Sequence, residues 1–342
     1  MKIQNTNSII IGYKKRQKRY VFVAIILFVI VLCLASIMMI YGNTIYSPST
    51  VFRVVMGENI KGATFTIRTL RLPRMLAAIL CGFAFGLAGN TFQTLLGNPL
   101  ASPDIIGISS GASTAAVFGI LILGLDGSTV SIMAVVAGLL VSGLIYLLAQ
   151  GSGFSNGRLI LTGIGMQAFL NAVLSWMLLK ASEYDVSSAL HWLSGSLNGV
   201  RLESIARLSI VVLGSGLAIL LLNRHLTILQ LGDVYAKTLG VRVHITRLLL
   251  ILLSLLMLAF ATSVTGPLSS VAFLSGPIAS KISGGGRSNM ITSACIGAIL
   301  VLAADLVGQF CLPARYPAGI ITGILGAPYL LFLLLRMNRK GE

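Results

Sequence analysis

The chain has 342 residues, 56% of them hydrophobic and only 10% charged, with a mean hydropathy of +0.94. A water-soluble fold cannot carry so apolar a surface, so the solvent for most of this chain is a lipid bilayer. The formal net charge of +16 sits in short loops between apolar runs, where it sets orientation in a membrane and excludes nucleic acid as a partner.

The apolar runs predict an all-α, polytopic membrane protein with about ten spanning helices, near residues 20–41, 71–95, 104–124, 129–150, 158–180, 204–222, 245–265, 268–283, 290–310 and 318–336. The first run is not a cleavable signal, since Tyr20 to Ile40 covers about 21 residues, longer than a signal core and long enough to cross. The eighth is short, because Gly266-Pro267 and Gly276-Pro277 interrupt it. Residues 1–19 read as a basic cytoplasmic segment, 20–336 as one transmembrane unit and 337–342 as a cytoplasmic tail. With both termini in the cytoplasm, sixteen of the 25 Lys and Arg residues fall inside, and the Lys14–Arg19 cluster before the first span fixes that orientation.

Against this bias, Arg68, Arg71 and Arg74 fall outside, at the mouth of the second span, with Arg53 and Lys61 in the preceding loop. In Arg71-Leu-Pro-Arg74, Pro73 suits a first helical turn, where its missing N–H costs nothing. The two arginines, three apart, are expected to project from one face. They fit either anchors for the helix end or a guanidinium fork for the carboxylates of an external partner.

Within the spans, glycines are spaced for close helix contact, as at Gly82, Gly86 and Gly89. Asp305 is the one carboxylate well inside a predicted span, and Asp104 stands where it can cap the third. Asn90, Gln93, Asn98, Gln167, Asn171 and Gln309 are suited to lining a path or to hydrogen-bonding neighbouring helices. Nothing catalytic or metal-binding emerges: His191, His225 and His244 sit in loops, and Cys33, Cys81, Cys295 and Cys311 form no CxxC pair. No GxxxxGK[ST] phosphate loop occurs, so an ATP-driven mechanism requires the nucleotide on another subunit.

Leu231-Gly-Asp-Val-Tyr-Ala-Lys-Thr-Leu-Gly240 reads as a short helix outside the bilayer, capped by Asp233 and closed at Gly240 in a left-handed conformation. Ala236 and Leu239, three apart, are expected to share a face. Arg224, Arg242 and Arg247 around it place it on the cytoplasmic side, where a partner can grip it.

Five ordered motifs make the chain resemble the permease subunits of the ABC importers for iron–siderophores, haem and cobalamin, from about residue 20 to the C-terminus. They are Arg71-Leu-Pro-Arg74, Gly97 through Gly111, Trp192-Leu-Ser-Gly-Ser-Leu197, Leu231-Gly-Asp through Leu239-Gly240, and Gly319 through Gly326-Ala-Pro328. The resemblance implies a type II ABC importer permease architecture with ten helices, in a bacterial plasma membrane. Its implied partners are a second permease subunit, two cytosolic ATPases that hold ATP and Mg, and an extracytoplasmic substrate-binding protein. No cofactor or metal is implied in this chain. Leu231, Gly232, Asp233, Ala236, Leu239 and Gly240 match the ATPase-coupling loop, Arg71 and Arg74 the arginines that engage the binding protein, and Asn156 and Gly157 the cytoplasmic gate. The chain departs from the family pattern at Ser275-Gly276-Pro277, usually Ala-Pro-His, at Gln309, usually Arg, and at Arg315, usually Glu. Arg315 is therefore added to the docking set, as an outer arginine moved from 309 to 315.

The resulting expectation is import of a ferric siderophore, with cobalamin or haem as alternatives. An ion-coupled secondary carrier is the reading of a different class. It requires buried acidic relays, for which the chain offers Asp305.

Overall fold

The computed structural model describes residues 2–150, 156–284 and 288–340. The described chain is helical, and its helices in order are α1 (Lys2–Ile40), α2 (Pro48–Val55), α3 (Leu72–Leu96), α4 (Ile108–Leu121), α5 (Gly127–Gln150), α6 (Asn156–Lys180) and α7 (Glu183–Leu193). After these come α8 (Leu202–Leu221), α9 (Asn223–Leu229), α10 (Asp233–Thr238), α11 (Val243–Thr265), α12 (Ser269–Ser283), α13 (Met290–Phe310) and α14 (Ala318–Lys340). A π-helical stretch, Phe65–Arg71, runs directly into α3, and a 3-10 turn, Pro103–Ile106, precedes α4.

Seven segments are long and apolar enough to cross a membrane: Lys14–Ile40, Phe65–Leu96, Gly127–Gln150, Gly157–Lys180, Leu202–Leu221, Val243–Thr265 and Met290–Phe310. The shorter apolar helices Ile108–Leu121 and Ala318–Leu333, together with α12, supply helices for the other three expected spans. They alternate in direction, so the start of α1, the end of α14 and the short helices α9 and α10 lie at one end of the bundle, termed proximal. The α2, α7 and Phe65–Arg71 segments lie at the other, distal end.

The third expected span differs most from its prediction. Gly107, at φ 73°, turns the chain between the 3-10 turn and α4, so the span is broken rather than continuous. Asp104 is not a cap there: Ser102 caps the turn by accepting from the Asp104 N–H at 3.4 Å, and the Asp104 carboxylate accepts from the Ser102 and Ser109 hydroxyls. At the N-terminus, the basic stretch is not a separate segment in shape, because α1 continues through it. Among its side chains, Arg19 donates to the Ile282 carbonyl at 2.8 Å, tying α1 to the end of α12.

α3 is the axle of the bundle, packed on α13, α11, α12 and α8. Its glycines make this possible. A Cβ on Gly82 or Gly86 would overlap the α13 backbone at Ala298 and Ser293, and one on Gly89 would overlap α12 at Ala272. Backbones that approach this closely gain dispersion contacts in lipid, where apolar surface alone gives helices no reason to associate. The Ser293 hydroxyl adds a hydrogen bond across the same seam, donating to the Gly86 carbonyl at 2.9 Å. α1 lies on α13, α14 on α13 and α12, and α4 packs with α5, α6 and α7 to one side.

Gly86→Ala should therefore lower the thermal midpoint of the purified protein in detergent, by an overpacking cost of about 1–3 kcal/mol. Gly143→Ala, whose Cβ meets nothing within 4 Å, should not lower that midpoint.

Candidate functional site

At the proximal end, α9 passes through a tight turn into α10, with Leu231 N–H bonded to the Ile228 carbonyl and Gly232 N–H to that of Leu229. Gly232 at φ 95° sets the entry of α10 and Gly240 at φ 81° its exit, the left-handed closure expected there. Asp233 is not the cap; it is the first residue within the helix. Its carboxylate instead accepts from both terminal nitrogens of Arg247 on α11, at 2.7 and 3.4 Å. Ala236 is fully buried in the same core as Leu226, Leu229, Val241 and Val243. Leu239 is exposed, so these two residues do not share a face as expected. A six-residue helix ends before that register is complete, and Leu239 is its C-cap. Leu231, Val234, Tyr235 and Leu239 all present exposed apolar side chains at this end.

A cavity of about 520 Å³ lies beside α10, walled by Asn90 and Gln93 of α3, Ser280 of α12, Gln230, Asp233 and Arg247. One wall shows why Gln93 is where it is. Pro277 lies inside α12 and has no N–H, which leaves the carbonyl four residues earlier, that of Phe273, without its helical partner. The Gln93 side-chain amide donates to that carbonyl at 3.0 Å. Gly276 makes room for it, since a Cβ there would collide with the Gln93 amide oxygen. Gln93 thus bonds a neighbouring helix rather than standing free along a path.

The distal end carries a wider cavity of about 900 Å³, lined by Arg68, Arg71, Arg74, Arg201 and Arg315 with Glu203. Arg71, Arg74 and Arg315 are therefore brought together, but the two arginines of the Arg71–Arg74 motif do not form a shared fork. Arg71 is buried, donating to the Met39 and Ile40 carbonyls at 2.8 and 2.9 Å and to that of Thr44 at 2.5 Å, with its guanidinium 5.0 Å from the centre of the Tyr46 ring. Gly42 lies so close to it that a Cβ would strike the guanidinium. Arg74 turns to α13 and makes a two-pronged bond to Asp305, at 2.9 and 2.8 Å, while reaching Asn198 at 3.4 Å. Asp305 is 1% exposed and Arg74 20%. Gln309, one turn along, also donates to Asp305, at 2.5 Å.

Arg315 is exposed and, among the described residues, its side chain bonds Asn43, at 2.9 Å. Arg68 and Arg201 are exposed as well, and among the described residues none of these three is in an ion pair. Arg68 and Arg315 stood out in the sequence, whereas Arg201 did not, since a single arginine in a loop has no spacing to mark it. Arg53 is spent locally on Glu58, whose carboxyl the Arg53 hydrogen bond holds below its ordinary range.

Asn156 and Gly157 open α6 at the proximal end. Gly157 is exposed, whereas the Asn156 side chain and residues 151–155 lie outside the described residues. α6 exposes Asn171 together with Leu161, Phe169, Trp176 and Leu179. No group of three or more His, Cys, Asp or Glu residues suited to a metal occurs among the described residues.

An all-helical bundle of this kind, with a short exposed helix at one end and an arginine-lined mouth at the other, defines a polytopic membrane permease. Residues 25–336 match the FecCD transport family, and the chain belongs to that family. It is 38% identical over 300 residues to the ferric enterobactin transport system permease protein FepG of Escherichia coli (strain K12), covering 87% of this chain and 91% of that protein. It is 34% identical over 329 residues to the Fe(3+)-citrate import system permease protein YfmE of Bacillus subtilis (strain 168), covering 95% and 98%. Among solved structures, one described as an inward-facing conformation of a metal-chelate type ABC transporter superposes with a TM-score of 0.82 at 25% identity, over 92% of this chain and 98% of that one.

Breaking the Arg74–Asp305 pair should cost stability, by up to about 3–5 kcal/mol for a fully buried pair and less here because Arg74 is partly hydrated. Asp305→Leu should lower the thermal midpoint in detergent more than the double variant Asp305→Leu/Arg74→Met, which removes both charges together. A double variant worse than the single would show that the pair is not what holds Arg74.

Proposed function

We propose that this chain is one of two permease subunits of an ATP-driven importer of ferric siderophores in a bacterial plasma membrane. The observation that carries this reading is α10, a six-residue helix seated by Ala236, which with its flanks presents Leu231, Val234, Tyr235 and Leu239 outward at the end where α1 begins and α14 ends. Exposed apolar side chains on a short, well-seated helix suit a docking surface for another protein. The distribution of Lys and Arg favours the cytoplasm for that end. The partner there is an ATPase subunit, which holds the ATP and Mg that this chain has no phosphate loop to bind.

At the distal end the partner is a substrate-binding protein with an acidic surface. Arg315, with Arg68 and Arg201, supplies the accessible positive charge, while Arg71 and Arg74 keep the mouth in shape from behind. The second permease, another copy or a related chain, covers α6, whose exposed Asn171 is costly to leave against lipid. The start of α6 at Asn156 and Gly157 is the cytoplasmic gate of the shared path. The names of the relatives favour a ferric chelate over cobalamin or haem. A proton-coupled carrier finds little support, because Arg74 and Gln309 already occupy the Asp305 carboxylate.

Leu239→Arg should abolish co-purification of the ATPase and cargo uptake while leaving membrane insertion intact. A fully covered Leu is worth about 1.5–3 kcal/mol, and an arginine in its place adds a desolvation cost. Unchanged co-purification would refute docking at α10.

Arg68→Glu with Arg201→Glu and Arg315→Glu should weaken the complex with the binding protein, more at low salt than at high salt, without affecting the ATPase. Affinity unchanged across ionic strength would rule out electrostatic docking at this mouth.

A further inference from the structure

Asp233 and Arg247 form the one ion pair among the described residues that joins α10 to a spanning helix. The contact has two points, so it resists rotation of α10 as well as withdrawal. Arg247 is anchored in the second turn of α11 with its side chain 13% exposed, whereas Asp233 is 51% exposed. Beside the pair lies the proximal cavity, so α10 is not packed solidly on that flank and has room to move.

The other end of α11 meets the distal mouth. The Thr265 carbonyl accepts the Ser196 N–H at 2.7 Å, and Gly266 lies against Gly195 so closely that a Cβ would press on it. Two residues after Ser196, Asn198 lines the distal cavity and accepts from Arg74 at 3.4 Å. A single rigid helix therefore runs from the α10 ion pair to the loop beside the arginine mouth.

We propose that Arg247 is a positioning residue for transport: through Asp233 it carries displacement of α10 into α11, and α11 carries it to the Gly195–Asn198 loop. This rests on the reading of α10 as the ATPase-docking element. A pair with one half-exposed partner adds little to fold stability, so its loss separates transmission from folding.

The test uses the whole transporter, permease with ATPase and binding protein. Uptake is measured in cells given radioactive iron as ferric citrate, ferric enterobactin or a ferric trihydroxamate, whichever the wild type accumulates. Arg247→Met should leave the ATPase bound and hydrolysing ATP, while uptake falls about tenfold, the size of a typical coupling between linked sites. Arg247→Lys, which keeps the charge but loses the two-point contact, should fall between Arg247→Met and the wild type. Asp233→Arg alone should also lower uptake, and combining it with Arg247→Asp should recover much of it. Wild-type uptake in Arg247→Met, or a charge swap no better than the single changes in complexes that retain the ATPase, would overturn the proposal. Loss of ATPase binding in both Arg247→Met and Arg247→Lys would also overturn it, since the pair would then shape the docking surface itself. If wild-type permease fails to retain the ATPase, the fault lies with the α10 docking reading instead.

Discussion

The contact between the backbones of α3 and α13 is the condition for everything else in this bundle. Where Gly82 and Gly86 meet Ala298 and Ser293, no side chain separates the two helices. In lipid there is no apolar driving force to pull helices together, so closeness itself must supply the attraction. With α3 so held, its two ends reach both functional surfaces. Its distal start places Arg71 and Arg74 at the mouth, and its proximal end places Asn90 and Gln93 beside α10.

The charged groups follow the same economy. Asp305 lies within α13, where an unpaired carboxylate would be expensive, and it is matched by Arg74 from the facing end of α3. Arg71 solves the problem differently, surrounding its charge with three carbonyls and a tyrosine ring. Both therefore pin the loops and helices that frame the distal cavity, and the charge left accessible belongs to residues at its rim. At the opposite end Asp233 and Arg247 pair in a half-exposed setting, which suits a joint better than a foundation.

The spanning helices were legible because long apolar runs have few other meanings, and the glycine spacing of α3 correctly announced close packing. The break at Gly107 was hidden because the residues on both sides are apolar enough to pass as one run. α7 and α9 were missed for a related reason: Glu183–Leu193 is mixed in character, and Asn223–Leu229 is too short for a period to register. The α10 segment was recognisable from its turn glycines, but which of Ala236 and Leu239 faces inward depends on where a very short helix stops. Arg71, Arg74 and Gln93 were recognisable as important, yet their partners were not. Arg74 finds Asp305 at a separation of 231 residues, and Gln93 finds Phe273 at 180, distances over which local pattern carries no information.

The bond from Gln93 to the Phe273 carbonyl binds three positions into one evolutionary unit. Pro277 creates the vacancy, Gly276 provides the space and Gln93 fills it. With alanine at 277 the helix would recover its own hydrogen bond and position 93 would be released to vary. With proline retained, replacing Gln93 by an apolar residue removes the side-chain donor that the Phe273 carbonyl has in place of its helical partner. Replacing Gly276 while Gln93 remains forces the amide out of its place. The order of substitution along a lineage is thus biased: losing the proline first costs least, and a descendant that has lost Gln93 while keeping Pro277 should carry another donor aimed at the same oxygen.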